Sequence, residues 1–218
     1  KIDEVSTTEI FAEIMGFKNL VLLSLKKNKL TSLPEKISSL TKLRVLYLSD
    51  NRFSQFPKVF LSMPWLTDVD LGNNLITSLP DTMPLYPHLW KLDLKGNNIT
   101  ELPSNLTVFP RLRVFTLNSN ALQSIPENID DLTTLEKLSL SGNEISQLPP
   151  SIGNLKNLSE LSMSNNQLNS LPQSIFNLSL TELMVAHNHL CTLTVAMQQW
   201  IDSNSTDYRE WQPSQMCE

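Results

Sequence analysis

Apolar residues return along this chain on a 23-residue beat, far longer than the 3.6-residue beat of a single amphipathic helix. One unit shows the frame: Leu135, Leu138, Leu140 and Ile145 are apolar, Asn143 sits among them, and Pro149 follows. The asparagine recurs as Asn28, Asn51, Asn74, Asn97, Asn120, Asn143 and Asn166 at intervals of 23, and Asn188 comes 22 later. Eight residues before each stands Leu20, Leu43, Leu66, Leu89, Leu112, Leu135, Leu158 or Leu180. Seven units also carry a proline six residues past the asparagine, from Pro34 to Pro172.

Alternation around Leu138 and Leu140 predicts one short strand per unit, near residues 137–141 in this one. After the proline, P-x-x-I-x-x-L predicts a turn of 3₁₀ or α-helix on the opposite side. Extra prolines in Met63-Pro64-Trp65, Met83-Pro84-Leu85-Tyr86-Pro87 and Phe109-Pro110 predict less helix in units two to four. An asparagine among leucines is costly unless its hydrogen bonds are met. Its carboxamide both donates and accepts, so the eight asparagines are expected to form a ladder bridging the turn of each unit and the next.

A stack of such units exposes apolar surface at both ends unless it is capped. Ser6 and Glu9 have capping-box spacing, and Ile10, Phe11, Ile14 and Met15 share one face. They predict a helix over Ser6–Met15 that stops at Gly16. Val195–Asp202 is expected to be a closing helix, with Met197 and Trp200 in places held earlier by Ile175 and Leu178. The expected organisation is a cap at 1–19, eight repeats over 20–193, and a helical cap with tail at 194–218.

The frame L-x-x-L-x-L-x-x-N-x-L, in register from about Leu20 to Trp200, resembles the leucine-rich repeat. The resemblance implies an α/β solenoid: a right-handed horseshoe with a parallel concave β-sheet, short helical or 3₁₀ convex segments, and helical caps. The 23-residue unit with its Leu-Pro step is similar to the Ras-group repeats and to repeat proteins of pathogenic bacteria such as Leptospira and Legionella. V-A-M-Q-Q-W-I followed by W-x-x-x-x-x-C looks most like the bacterial kind. The family implies protein binding through the concave face.

Charge changes the picture in two ways. A net charge of −5 disfavours nucleic acid as a partner. Its distribution is uneven: nine basic against two acidic residues over 18–58 give +7, and five basic against eleven acidic over 111–218 give −6. Such polarity along the long axis can orient a partner. No apolar run is long enough for a membrane span. The chain opens on Lys1, which a processed precursor and a trimmed chain explain equally well.

No nucleophile, phosphate-loop or metalloprotease motif occurs, and His187 and His189 lack a nearby third ligand. The expectation is a non-enzymatic module with no metal site and no cofactor. Five N-x-[ST] sequons match what chance supplies. Cys191 falls in an outward column and Cys217 in the tail. A Cys191–Cys217 disulfide pinning the tail to the last repeat is the expected state; it would contribute roughly 3 kcal/mol in the loop-entropy model and imply export, whereas two free thiols in the cytosol are the alternative.

Residues two, four and six after each opening leucine should face the concave solvent. In units two to five they place Tyr47, Asp68, Asp70, Lys91, Asp93, Val114 and Thr116 together. Arg44, Trp90 and Arg113 lie one residue after their leucines, on one edge of that patch, with Trp65 on the same flank. Aromatic and arginine side chains dominate binding hot spots, so the partner-binding residues are read as Arg44, Tyr47, Asp68, Asp70, Trp90, Lys91, Asp93, Arg113 and Thr116. Packing of Trp65 and Trp90 on the proline segments is the competing reading. The functional expectation is a monomeric, secreted or surface factor that engages a host protein. An intracellular scaffold for small-GTPase signalling and a receptor for a glycan or small ligand are the alternatives.

Overall fold

The computed structural model describes residues 1–7, 9 and 12–206. Eight three-residue strands form one parallel sheet in chain order. They are β1 (Leu22–Ser24), β2 (Val45–Tyr47), β3 (Asp68–Asp70), β4 (Lys91–Asp93), β5 (Val114–Thr116), β6 (Lys137–Ser139), β7 (Glu160–Ser162) and β8 (Glu182–Met184). Each residue pairs with its equivalent one unit on, as Leu46 with Val69 and Asp70 with Asp93. The missing residue between Leu178 and Leu180 is absorbed before β8, so Leu161 still pairs with Leu183.

The chain returns behind the sheet through 3₁₀ turns at Glu35–Ser39, Lys58–Ser62, Ile129–Asp131, Pro150–Asn154 and Gln173–Asn177. In the first, Pro34 is extended and the Ile37 N–H closes the turn on its carbonyl at 3.0 Å. Ile37 then points into the core with no exposed surface, as do Phe60, Ile152 and Ile175 at equivalent places. The middle residue of every strand meets them from the other side. Each such burial stabilises by roughly 1.5–3 kcal/mol.

Units three and four, as their prolines predict, have no 3₁₀ turn between β3 and β5. Tyr86 fills the space instead: its ring stacks on Phe109 at 5.7 Å and its hydroxyl donates to the Phe60 carbonyl. Unit two departs from expectation, because Lys58–Ser62 is a formed turn. Pro64 lies just past its end, where a proline removes no needed donor.

The asparagines form the expected ladder, but it reaches backward. Asn97 donates to its own Leu94 carbonyl (2.9 Å) and to Leu71 of the preceding unit (3.0 Å). Its Oδ1 accepts from Ile76 N–H, also in the preceding unit. The same set recurs from Asn51 to Asn188. The chain can fold back there because the residue before each asparagine is left-handed: Lys27, Asp50, Asn73, Gly96, Ser119, Gly142, Asn165 and His187 have φ between 53° and 71°. Six of these eight residues are not glycine, so the column tolerates side chains, but at Gly96 a Cβ would sit 2.2 Å from Asn73 Oδ1 and would have to displace that side chain.

The N-terminal cap is not the expected helix. Ser6 has φ of 56°, and among the described residues helical structure here is a 3₁₀ turn at Ala12–Gly16, which does stop at Gly16. Residues Thr8, Ile10 and Phe11 lie outside the described residues. The segment before them lies along β1 as a partial extra rung: Ile2 N–H donates to Ser24 and Glu4 N–H to Lys26. Asn28 Oδ1 accepts from Val5 and Thr7, and its amide donates to Ile2. An unsatisfied ladder asparagine and an open sheet edge outweigh an isolated capping box.

At the other end, helix α1 (Val195–Asn204) closes the stack. Thr194 caps it by accepting from Met197 N–H. Met197 and Ile201 are buried, and Trp200 is half-buried, edge-on to Phe176 at 6.0 Å.

Candidate functional site on the concave face and its flank

Strand pleating turns the first and last residue of each strand to the concave side, and their neighbours one unit away lie beside them. On this face Tyr47, Asp68 and Asp70 meet as expected. The Tyr47 hydroxyl donates to Asp68 Oδ2 at 3.1 Å. Lys26, from unit one, reaches across unit two to bond Asp70 Oδ2 in unit three and lies 4.5 Å from the centre of the Tyr47 ring. Asp70 Oδ1 accepts from Gly72 N–H at 3.0 Å. Asp68 and Asp70 are both more than nine-tenths buried, and Asp68 Oδ1 has no hydrogen-bond partner.

The two carboxyls of the neighbouring rungs titrate in opposite directions. Burial pushes Asp70 up, but the hydrogen bonds from Lys26 and Gly72 and the Lys26 charge outweigh it and hold it below the ordinary value. Burial pushes Asp93 up, and the Asp70 charge adds to that against the Lys95 N–H and lysine charges. Burial also raises the Tyr47 phenol, and the Asp68 charge adds to it.

Lys91, Asp93 and Thr116 line the next two rungs, half-buried. Beyond them a concave hollow of about 270 Å³ runs from Asp93 to Met184. The Lys137–Glu160 ion pair crosses it, so units six and seven carry charge on this face as well as the serines of β6 and β7. Lys26 and Lys137 were not among the expected site residues. Both occupy outward columns of the repeat frame, which is the signal that finds them.

The edge residues do not join that patch as one surface. Arg44 turns onto its own loop and donates to the Thr41 and Leu43 carbonyls. Trp65 is half-buried against the core with its Nε1 unpartnered, so for Trp65 the packing reading holds. Trp90 is 42% exposed, and for it that reading fails. With Arg113, Arg111, His88 and Thr134 it lines a separate flank groove of about 500 Å³. His88 and Arg111 precede the opening leucines by one residue, a column the sequence frame contains but the expected site omits. Cys191 is exposed on the last unit. Cys217 and Trp211 lie outside the described residues, and so does the expected Cys191–Cys217 pairing.

Comparison with known proteins places this architecture. Three family profiles match: a leucine-rich repeat region over residues 105–199 and leucine-rich repeats over 8–53 and 88–109. The chain is a leucine-rich-repeat protein, and its likeness extends to bacterial members of that family. A leucine-rich-repeat protein of Leptospira interrogans is 27% identical, with a TM-score of 0.68 over 92% of this chain and 63% of that one. An internalin of Listeria monocytogenes shares the fold at 19% identity, with a TM-score of 0.69 over 83% of this chain and 58% of the internalin. The Drosophila Toll–Spätzle complex shares it at 23% identity, with a TM-score of 0.76 over 92% of this chain and 28% of its match. The chain therefore spans less than two thirds of each of these structures. No curated protein sequence matches it significantly.

Proposed function

We propose that this chain is a non-enzymatic protein-binding module whose concave face, in units two to five, grips a partner. The observation that carries the reading is the locked set Lys26–Asp70 and Tyr47–Asp68 beside half-buried Asp93. Side chains already fixed in place lose little freedom on binding, which favours recognition over a merely solvated face. Repeat stacks as a class present extended concave binding surfaces. Toll, a neighbour in fold, is seen in a complex with Spätzle.

The biological setting we favour is a secreted or surface bacterial factor acting on a host protein. The Leptospira likeness supports it. So does the proposed Cys191–Cys217 bond, since no cysteine is free among the described residues. No helix of the described residues is long and apolar enough to cross a membrane.

Site-specific photo-cross-linking tests the binding face. With the cross-linker at position 93 or 116, a defined protein adduct is expected from host-cell extract or surface. At Asn154, on the opposite side of the units, it is not. Equal adducts at all three positions would refute a concave site.

A further inference from the structure

The flank groove has a chemistry that the concave face does not share. Its two columns, just before and just after the opening leucine, hold Lys42 and Arg44 in unit two, His88 and Trp90 in unit four, and Arg111 and Arg113 in unit five. From unit two to unit five these columns contain no carboxylate, although the whole chain is acidic. The first acid is Glu136 in unit six, which pairs with Arg113 at 3.4 Å in an exposed, easily displaced contact. Arg111 makes no ion pair among the described residues. Beside these cations the Trp90 ring stands open to solvent.

The backbone of the groove is already engaged. Trp90 O accepts from Arg113 and Val114, and Arg113 O from Glu136 and Lys137. An extended peptide therefore finds no free strand edge to add to, and recognition falls to side chains alone. They offer a flat ring with an electron-rich face, and guanidinium forks shaped for carboxylate or sulfate oxygens. A volume of about 500 Å³ suits a ligand of one to three small rings. A ring with polarised C–H groups on one face and an acidic substituent at its edge meets both demands.

We infer that the groove formed by Trp90, Arg111, Arg113 and His88 is a binding site for an acidic saccharide, one sugar stacking on Trp90 while its anionic group engages the arginines. The site is independent of the concave contact.

Calorimetry with the full chain at low salt tests this. The probes are a hyaluronan hexasaccharide (carboxylate only), a heparin-derived hexasaccharide (sulfate-rich), neutral chitohexaose and a glutamate hexapeptide. At least one acidic saccharide is expected to bind, to weaken as salt rises, and to exceed both other probes at least ten-fold. Which acidic saccharide binds identifies the anion. Trp90→Ala and Arg111→Ala are each expected to lose at least ten-fold with thermal midpoint unchanged, and Tyr47→Ala to leave binding intact. No saccharide binding overturns the inference. So does equal binding of chitohexaose, or binding of the glutamate peptide that is indifferent to Trp90→Ala. Because Tyr47 lies outside the groove, loss of saccharide binding leaves the concave reading standing, and the reverse also holds.

Discussion

Asn97 commits its whole carboxamide to backbone, giving donors to Leu71 and Leu94 and an acceptor to Ile76, all in a buried setting. Asn97→Ala strands these groups where water cannot replace the bonds, at about 1–3 kcal/mol per unsatisfied group. The urea midpoint is expected to fall by the equivalent of about 3 kcal/mol with little change in slope. Lys26 acts on the same scale through charge. It holds the Asp70 pKa below its ordinary 3.8, so Asp70 contributes stability above that value and loses it as pH falls through the depressed pKa. Asp93, with its pKa raised, works the other way: its ionised form costs stability above the ordinary range, and protonation removes the cost. Lys26→Met should therefore destabilise the protein at pH 7, and its deficit against the wild type should shrink as pH approaches 3. Urea midpoints across that range check it; a deficit independent of pH would separate Lys26 from Asp70.

At the scale of elements, the 3₁₀ turn Pro150–Asn154 packs closely on the next turn, Gln173–Asn177. Gly153, inside Pro150–Asn154, is where that contact is tightest: a Cβ would lie 2.1 Å from the Ser174 carbonyl in the next turn. Backbone cannot swing aside as a flexible side chain can. Gly153→Ala is expected to cost about 1–3 kcal/mol by overpacking. Gly72→Ala, whose nearest neighbours are side-chain atoms, Lys95 Cγ at 3.2 Å and Asp70 Oδ1 at 3.3 Å, should cost less. Thermal denaturation of the pair measures the difference. The missing turns of units three and four belong to this scale too, since Tyr86 replaces what the prolines exclude.

For the whole molecule, the strands and turns of the described residues pack mainly on those of adjacent units, so stability is local and propagates from the ends. Ile201 has no exposed surface and anchors α1 on the last rung. Ile201→Ala is expected to cost about 2–5 kcal/mol, felt first at the C-terminal end. Hydrogen exchange should quicken at β8 amides while β3 and β4 stay protected. Uniform quickening would mean that the stack unfolds as one unit. Among the described residues, the basic segment 18–58 lies in the first units of the stack and the acidic residues from Glu127 to Asp202 lie in the later ones, so the charge polarity of these segments is a polarity in space.

The repeat frame determined the short strands, the ladder and the closing helix, and the family resemblance it carries implied the parallel sheet. Each depends on short-range spacing that recurs eight times, so every unit reports the same local physics. The tertiary structure decided what depends on a neighbour's side chain. It turned Ser6 away from a helix because Asn28 needed partners, directed the ladder backward, and folded Arg44 onto its own loop. It also divided one expected patch into a locked concave set and a cationic flank groove. Column position says which way a residue faces, but burial, charge and rotamer at one rung are settled by what the adjacent rungs place beside it.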